Sequence, residues 1–218
     1  MQTTAEMDEL TAKYQFGQDD DLQQKNGSTF NGRRTFQHKD FSFSGSMADY
    51  IEGKLHEVPL DKLRKKQPTD GVTEPERQQL RGLVQCAMWL ARQNRPDVIG
   101  PAALMARRIC DATVADIIEM NKVVAHCKGS KDMTLKLPAI KPEDLIWVAI
   151  ADAANNTAGE THSQGATIGA VSHRRLGQGL EAPLGMLAWR SGKSREFVTP
   201  LWQQNPTLWL QPRRRRSG

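Results

Sequence analysis

Asp152 closes an apolar run, "LIWVAIAD" from Leu145 to Asp152, and a polar stretch, "AANNTAGETHSQ", follows it. A carboxylate aimed out of the end of an apolar strand suits metal-assisted hydrolysis. Two divalent ions held a few ångströms apart would assemble an attacking water and stabilise a leaving oxygen. Hard cations need several carboxylate oxygens in one cluster, and one Asp cannot hold two of them. Acidic partners are few: Glu160 lies in the following turn and reads as solvent-exposed, and Glu196 is the last acid of the chain. An Asp at such a place also serves simply as a turn residue.

Basic residues form the second candidate group. Arg190, Lys193 and Arg195 flank a later apolar stretch, "MLAWRSGKSR". They could contact a nucleic-acid backbone, because phosphate contacts need only placed positive charge. An edge strand guarded by Lys and Arg has the same look. Lys62, Arg64, Lys65 and Lys66 fit a template–primer contact and a charged linker equally well. Arg213 to Arg216 supply four of the five net positive charges, so the rest of the chain is nearly neutral. The basic character therefore belongs to the tail, and it is weak evidence that the folded part binds nucleic acid.

Cysteine usage points to a reduced compartment. Cys86, Cys110 and Cys127 are odd in number and none forms a C-x-x-C pair. His126 and Cys127 are adjacent, and adjacent residues on a helix point apart, which argues against a metal pair. There is no basic-then-apolar leader pattern, and no apolar run approaches the roughly 18 residues that span a bilayer. The expectation is an intracellular protein, cytoplasmic or nuclear, with no membrane contact.

The elements that would position these groups follow from periodicity. Residues 1–28 are acidic and poor in branched apolar residues, and read as disordered. "FNGRRTFQHKDFSF" alternates aromatic and polar residues, as one or two short strands would. Met47, Tyr50, Ile51 and Leu55 fall at helical spacing with Ser46 as the cap, and Pro59 follows as the stop. The clearest helix is Glu74 to Asn94, opened by the T-x-x-E box of Thr73 and Glu76 and carrying the stripe Leu80, Leu83, Val84, Ala87, Leu90 and Ala91. "NRPD" breaks it. Two more helices follow, from about Asp97 to Ile109 and from Thr113 onward, which together imply a small helical bundle. After Gly129 the period changes: "MTLKL" is a short strand, "LIWVAIAD" reads as a central one, and "GATIGAVSHRR" and "MLAWRS" complete an antiparallel meander. Trp147 and Trp189 read as core.

Two stretches together resemble a known arrangement. "LRGLVQCAMWLARQNRPDV" resembles the helix and turn near the C-terminal end of the reverse transcriptase in copia-type retrotransposon Pol polyproteins. "LIWVAIADAANNTAGETHSQGATIGAVSH" resembles the opening of the ribonuclease H domain that follows it, with "LAWRSGKS" as a third strand. "FNGRRTFQHKD…MADYIEGKL" is similar to the segment after the polymerase palm. The resemblance covers roughly Phe30 to Arg195. It implies an α+β chain: a thumb-like helical region over residues 29–128, then a truncated ribonuclease H-like three-stranded antiparallel meander over 129–198. It also implies that Asp152 is the first metal-binding carboxylate of ribonuclease H, that Mg²⁺ or Mn²⁺ is the metal, and that an RNA–DNA hybrid or template–primer is the partner, with no small-molecule cofactor.

The sequence departs from that family at both ends. No paired aspartates at an apolar hairpin precede Phe30, and no acid follows Glu196. The tail 199–218, "TPLWQQNPTLWLQPRRRRSG", has neither helix nor strand period. Read two bases on, codons for Glu196 to Asn205 also permit Val-Cys-His-Ser-Ser-Leu-Ala-Ala-Glu. That is the kind of helix on which the family carries its second metal-binding Glu. The expectation is a Pol fragment that passes through a frameshift or mis-joined exon after about Arg195, with both activities lost. The alternative is a small nucleic-acid-binding or adaptor protein that uses the helical region and the arginine tail. A nuclease active as it stands is a third reading. A three-stranded meander with one face uncovered is expected to be marginally stable.

Overall fold

Leu80, Leu83, Val84, Ala87, Leu90 and Ala91 are all buried, as their spacing requires, on one face of a helix that runs Glu74–Gln93 (α2). The computed structural model describes residues 27–154 and 164–193, with the short stretches 9–10, 12–14 and 21–23. Most of the acidic segment, the turn with Glu160, and everything from residue 194 onward, including Arg195, Glu196 and Arg213 to Arg216, lie outside them.

Within those residues the chain is α+β, with four helices and two antiparallel sheets. The aromatic–polar stretch Phe30–Phe43 holds β2, Arg33–Gln37, and touches a strand at either end, β1 Ser28–Phe30 and β3 Phe43–Ser46. Asn31 (φ 52°) and Gly32 (φ 80°) make a two-residue turn between β1 and β2. Both central residues have positive φ, the combination that matches strand twist and selects Asn-Gly. The helix α1, Ala48–Lys54, starts one residue later than a Ser46 cap would set it. Met47 takes the cap position, and the Ser46 hydroxyl accepts a weaker bond from the Ala48 N–H at 3.3 Å.

α2 opens with the expected capping box. The Thr73 hydroxyl accepts from the Glu76 N–H, and the Glu76 carboxylate accepts from the Thr73 N–H at 2.7 Å. α3 spans Ile99–Arg108 and α4 Val114–Gly129. Ile51 and Leu55 from the first helical segment, the α2 stripe, Met105, Ile117, Met120, Val124 and Cys127 form one buried core. Asn121 of α4 clamps the chain after α1 to this core: its carbonyl accepts from the Val58 N–H at 2.9 Å and its amide donates to the Val58 carbonyl at 2.8 Å.

The short strand Leu135–Leu137 (β4) does not join the strands that follow it. It pairs antiparallel with β3, so the first sheet runs β1-β2-β3-β4 and is closed by a strand from beyond the bundle. The second sheet is the meander β5 Leu145–Ala154, β6 Gln164–His173 and β7 Leu184–Lys193. Its order among the described residues, β5-β6-β7, puts β5 at an edge there, where the continuous apolar run of "LIWVAIAD" predicts a central strand.

β7 lies against α3 and β4, and that contact joins the two halves. Gly185 makes it possible: a Cβ there would stand 2.6 Å from Leu137 Cδ1 and 2.7 Å from Pro138 Cδ. The proline ring cannot swing aside as a long side chain would. Gly185→Ala is therefore expected to cost about 2 kcal/mol, in the range for overpacking a tight site. Chemical denaturation of the purified variant checks this.

Candidate functional site

Asp152 sits inside β5, with Ala153 and Ala154 continuing the strand beyond it. Its register partner is Ala166 on β6, whose own partner on β7 is Ser191. Residues directly opposed in an antiparallel sheet share a face. Asp152, Ala166 and Ser191 thus share one face, together with Ile150, Ile168 and Trp189 in the next row. The Asp152 carboxylate is exposed, and one of its oxygens accepts from the neighbouring Ala153 N–H at 2.8 Å.

Polar groups on the same face connect the meander to the helices. The Gln164 amide donates to Ser191 Oγ at 2.8 Å, and Arg107 of α3 donates to the Gln164 carbonyl at 3.0 Å. Among the described residues, no group of three or more His, Cys, Asp or Glu side chains could hold a metal ion. What Asp152 offers there is a single solvated carboxylate, sufficient for a weak ligand and short of the oxygen cluster a pair of hard cations demands.

The basic candidates do not converge on it. Arg190 pairs with Thr167, which pairs with Ala151, so Arg190 projects from the face opposite to Asp152 and is exposed. Lys193 occupies the last position of β7, opposite Gln164. In the connector, Arg64 is already occupied. Its guanidinium grips both carboxylate oxygens of Glu76 at 3.0 Å and donates to the Gly71 carbonyl at 2.7 Å. Those hydrogen bonds hold the Glu76 carboxyl down at about 2. Lys62, Lys65 and Lys66 remain exposed.

"NRPD" reads from sequence as a helix stop and as the turn that carries the family resemblance. In the structure it is the hub of an ionic network in which Arg95 is buried, Asp97 is partly exposed and His126 is exposed. Arg95, 1% exposed, makes a two-pronged contact with Asp97 at 2.9 and 2.7 Å. It also donates to the Ser130 carbonyl at 3.2 Å and hydroxyl at 2.9 Å. His126 Nε2 lies 3.0 Å from the same Asp97 oxygen. Burial alone would raise the Asp97 carboxyl, but the bonds from Arg95 and His126 outweigh it and hold the group below its ordinary range. The readable signal was the pair His126 and Ser130, one helical turn apart at the end of a helix, facing an Arg-x-Asp fork. His126 and Cys127 point apart as expected. Cys127 is buried in the core, where desolvation pushes its thiol up.

Trp189 and Trp147, both expected in the core, have different fates. Trp189 is half-buried and its indole N–H donates to the Ala91 carbonyl at 2.7 Å, anchoring β7 to the end of α2. It helps to line a cleft of about 460 Å³ between the two sheets, with Arg33, Arg92, Phe43, Leu135 and Met186. Trp147 is 74% exposed on the edge strand.

No family model matches the chain, and no curated protein or solved structure matches it either. No helix among the described residues is long and apolar enough to cross a membrane.

Proposed function

We propose that this chain is a piece of a copia-type retrotransposon Pol polyprotein. It carries the thumb-like end of a reverse transcriptase and the first three strands of its ribonuclease H, without a complete active site for either reaction. The observation that carries this reading is the order of parts: an apolar helix ending in Arg95-Pro96-Asp97, two further helices, then an antiparallel meander whose first strand bears Asp152 near its end. In this reading Asp152 is the first of several metal-binding carboxylates, Mg²⁺ or Mn²⁺ would be the ion they share, and the RNA strand of a hybrid would be the substrate. Asp152 alone supplies too few oxygens, and the sequence adds no acid after Glu196.

Two experiments test it. The nucleotide sequence from the codon for Trp189 past the stop, confirmed on a transcript and read in all three frames, is expected to show an Ala-rich helix with a Glu codon in the shifted frame. The absence of such a codon in every frame sinks the frameshift reading. The purified chain is also expected to leave an RNA–DNA hybrid uncut with Mg²⁺ or Mn²⁺, so that Asp152→Asn changes nothing. Metal-dependent cleavage abolished by Asp152→Asn would instead establish an active nuclease. Salt-sensitive hybrid binding that vanishes when residues 213–216 are deleted would favour the nucleic-acid-binding alternative.

A further inference from the structure

The cleft of about 460 Å³ is lined by one face of the first sheet, by β7 and by the last turn of α2. Its size falls within the roughly 300–1,000 Å³ of small-molecule sites. Phe43, Leu135 and Leu137 share their sheet face with Arg33, by register and by the alternation of side chains along a strand. Met186 and Leu187 of β7 extend this apolar lining. The charged groups in the lining are Arg33 and Arg92, and none of the lining residues is acidic.

Arg33 is a cation without a counterion among the described residues. Its Nη1 donates to the Gln93 carbonyl at 3.3 Å. Its Nε is buried without a partner, and Nη2 is unpaired among the described residues but not sealed off as Nε is. Burial pushes the guanidinium below its ordinary value, and no carboxylate offsets that. Beside it Asn94 is 2% exposed, and both ends of its amide lack a partner. Gly45 shows how close the two side chains stand. A Cβ there would lie 2.5 Å from Arg33 Nε, 2.8 Å from its Nη2 and 2.7 Å from Asn94 Oδ1. Buried polar atoms are seldom left unpaired. Three of them at one place, against a cleft with two cations and no acid, point to an anion as the missing partner.

We propose that the cleft binds a small organic carboxylate with an apolar body. The carboxylate pairs with the Arg33 guanidinium through Nη2, Arg92 adds positive charge, and the body lies against Phe43, Leu135, Leu137 and Met186. A bare phosphate would satisfy the cations but leave the apolar lining in water. An uncharged hydrocarbon would cover the lining but leave Arg33 unpaired. The site does not rest on the Pol reading, and neither Asp152 nor a metal takes part in it.

Calorimetric titration of the full chain tests it, with phenylpropionate as the probe. The wild type is expected to bind one equivalent. Phenylpropanol has the same body without the charge, and inorganic phosphate has charge without the body. Each is expected to bind about tenfold more weakly or worse. Arg33→Met keeps an apolar stem, removes the guanidinium and raises the dissociation constant for phenylpropionate about tenfold. Met186→Trp fills the cleft from β7, touches neither arginine and abolishes binding. Arg81→Met, at an exposed position of α2 outside the lining, leaves binding unchanged. If Arg33→Met fails to fold, the three ligands on the wild type and the Met186→Trp variant decide the matter. A wild type that takes up no phenylpropionate overturns the proposal. So does phenylpropanol or phosphate bound as tightly as phenylpropionate, or an affinity for phenylpropionate that Arg33→Met or Met186→Trp leaves unchanged.

Discussion

Asp97→Ala lowers the stability of the chain by about 3–5 kcal/mol, the cost of leaving a buried charge without its partner. Arg95 has 1% of its surface exposed and cannot turn to water when the carboxylate goes. It retains the Ser130 carbonyl and hydroxyl, both neutral acceptors, and loses both prongs of its fork. Arg95→Lys does not stand in for the native pair, because an ammonium cannot bridge two carboxylate oxygens and Ser130 from one position. The effect has a defined pH dependence. Asp97 titrates below its ordinary value in the folded chain, so its contribution is fully present above about pH 4 and is lost as pH falls below that. The stability gap between wild type and Asp97→Ala is therefore expected to narrow as pH falls below about 4. Urea unfolding at a series of pH values checks both the size and the direction. A gap that widens toward low pH would contradict the assignment.

The network also shows where the sequence was legible and where it was not. Local rules were enough for the helices: the Thr73–Glu76 box, the stripe from Leu80 to Ala91 and the stop before Pro96 all lie within one element, and each appears in the structure. The meander was readable for the same reason, since turns and alternation are local. What failed was anything decided by distant chain. "MTLKL" reads as a short strand without a partner, and it pairs with β3, some ninety positions back, which nothing in its residues names. The run "LIWVAIAD" has the apolar continuity of a central strand but occupies an edge among the described residues, because continuity reports how much apolar surface a strand carries and not which element covers it. The candidate site suffers similarly. Asp152 was legible as a carboxylate on the first strand, whereas the opposite projection of Arg190 depends on the pairing register across three strands, and a single residue of register reverses it.

Trp189→Ala is expected to cost about 3–4 kcal/mol and to loosen the meander from the helices. Trp147→Ala is expected to change stability by less than about 0.5 kcal/mol. The residues are the same type on the two outer strands of the meander, so transfer energy from the unfolded chain treats them alike. Only the folded environment separates them. Trp189 is half-buried against the end of α2, and its N–H reaches the Ala91 carbonyl at the point where the helix stops supplying backbone partners. Removing the indole empties one wall of the cleft that holds Met186 and Leu135, adding a cavity cost to the lost burial. Trp189→Phe keeps most of the packing and removes the N–H, so it isolates the hydrogen bond at about 1 kcal/mol. Trp147 makes no such contribution to its own chain, because most of its surface already faces water. Fluorescence reports both sites, and denaturant titration of the three variants gives the ranking. Equal costs for Trp189→Ala and Trp147→Ala would mean that β7 is not the strand that docks the meander.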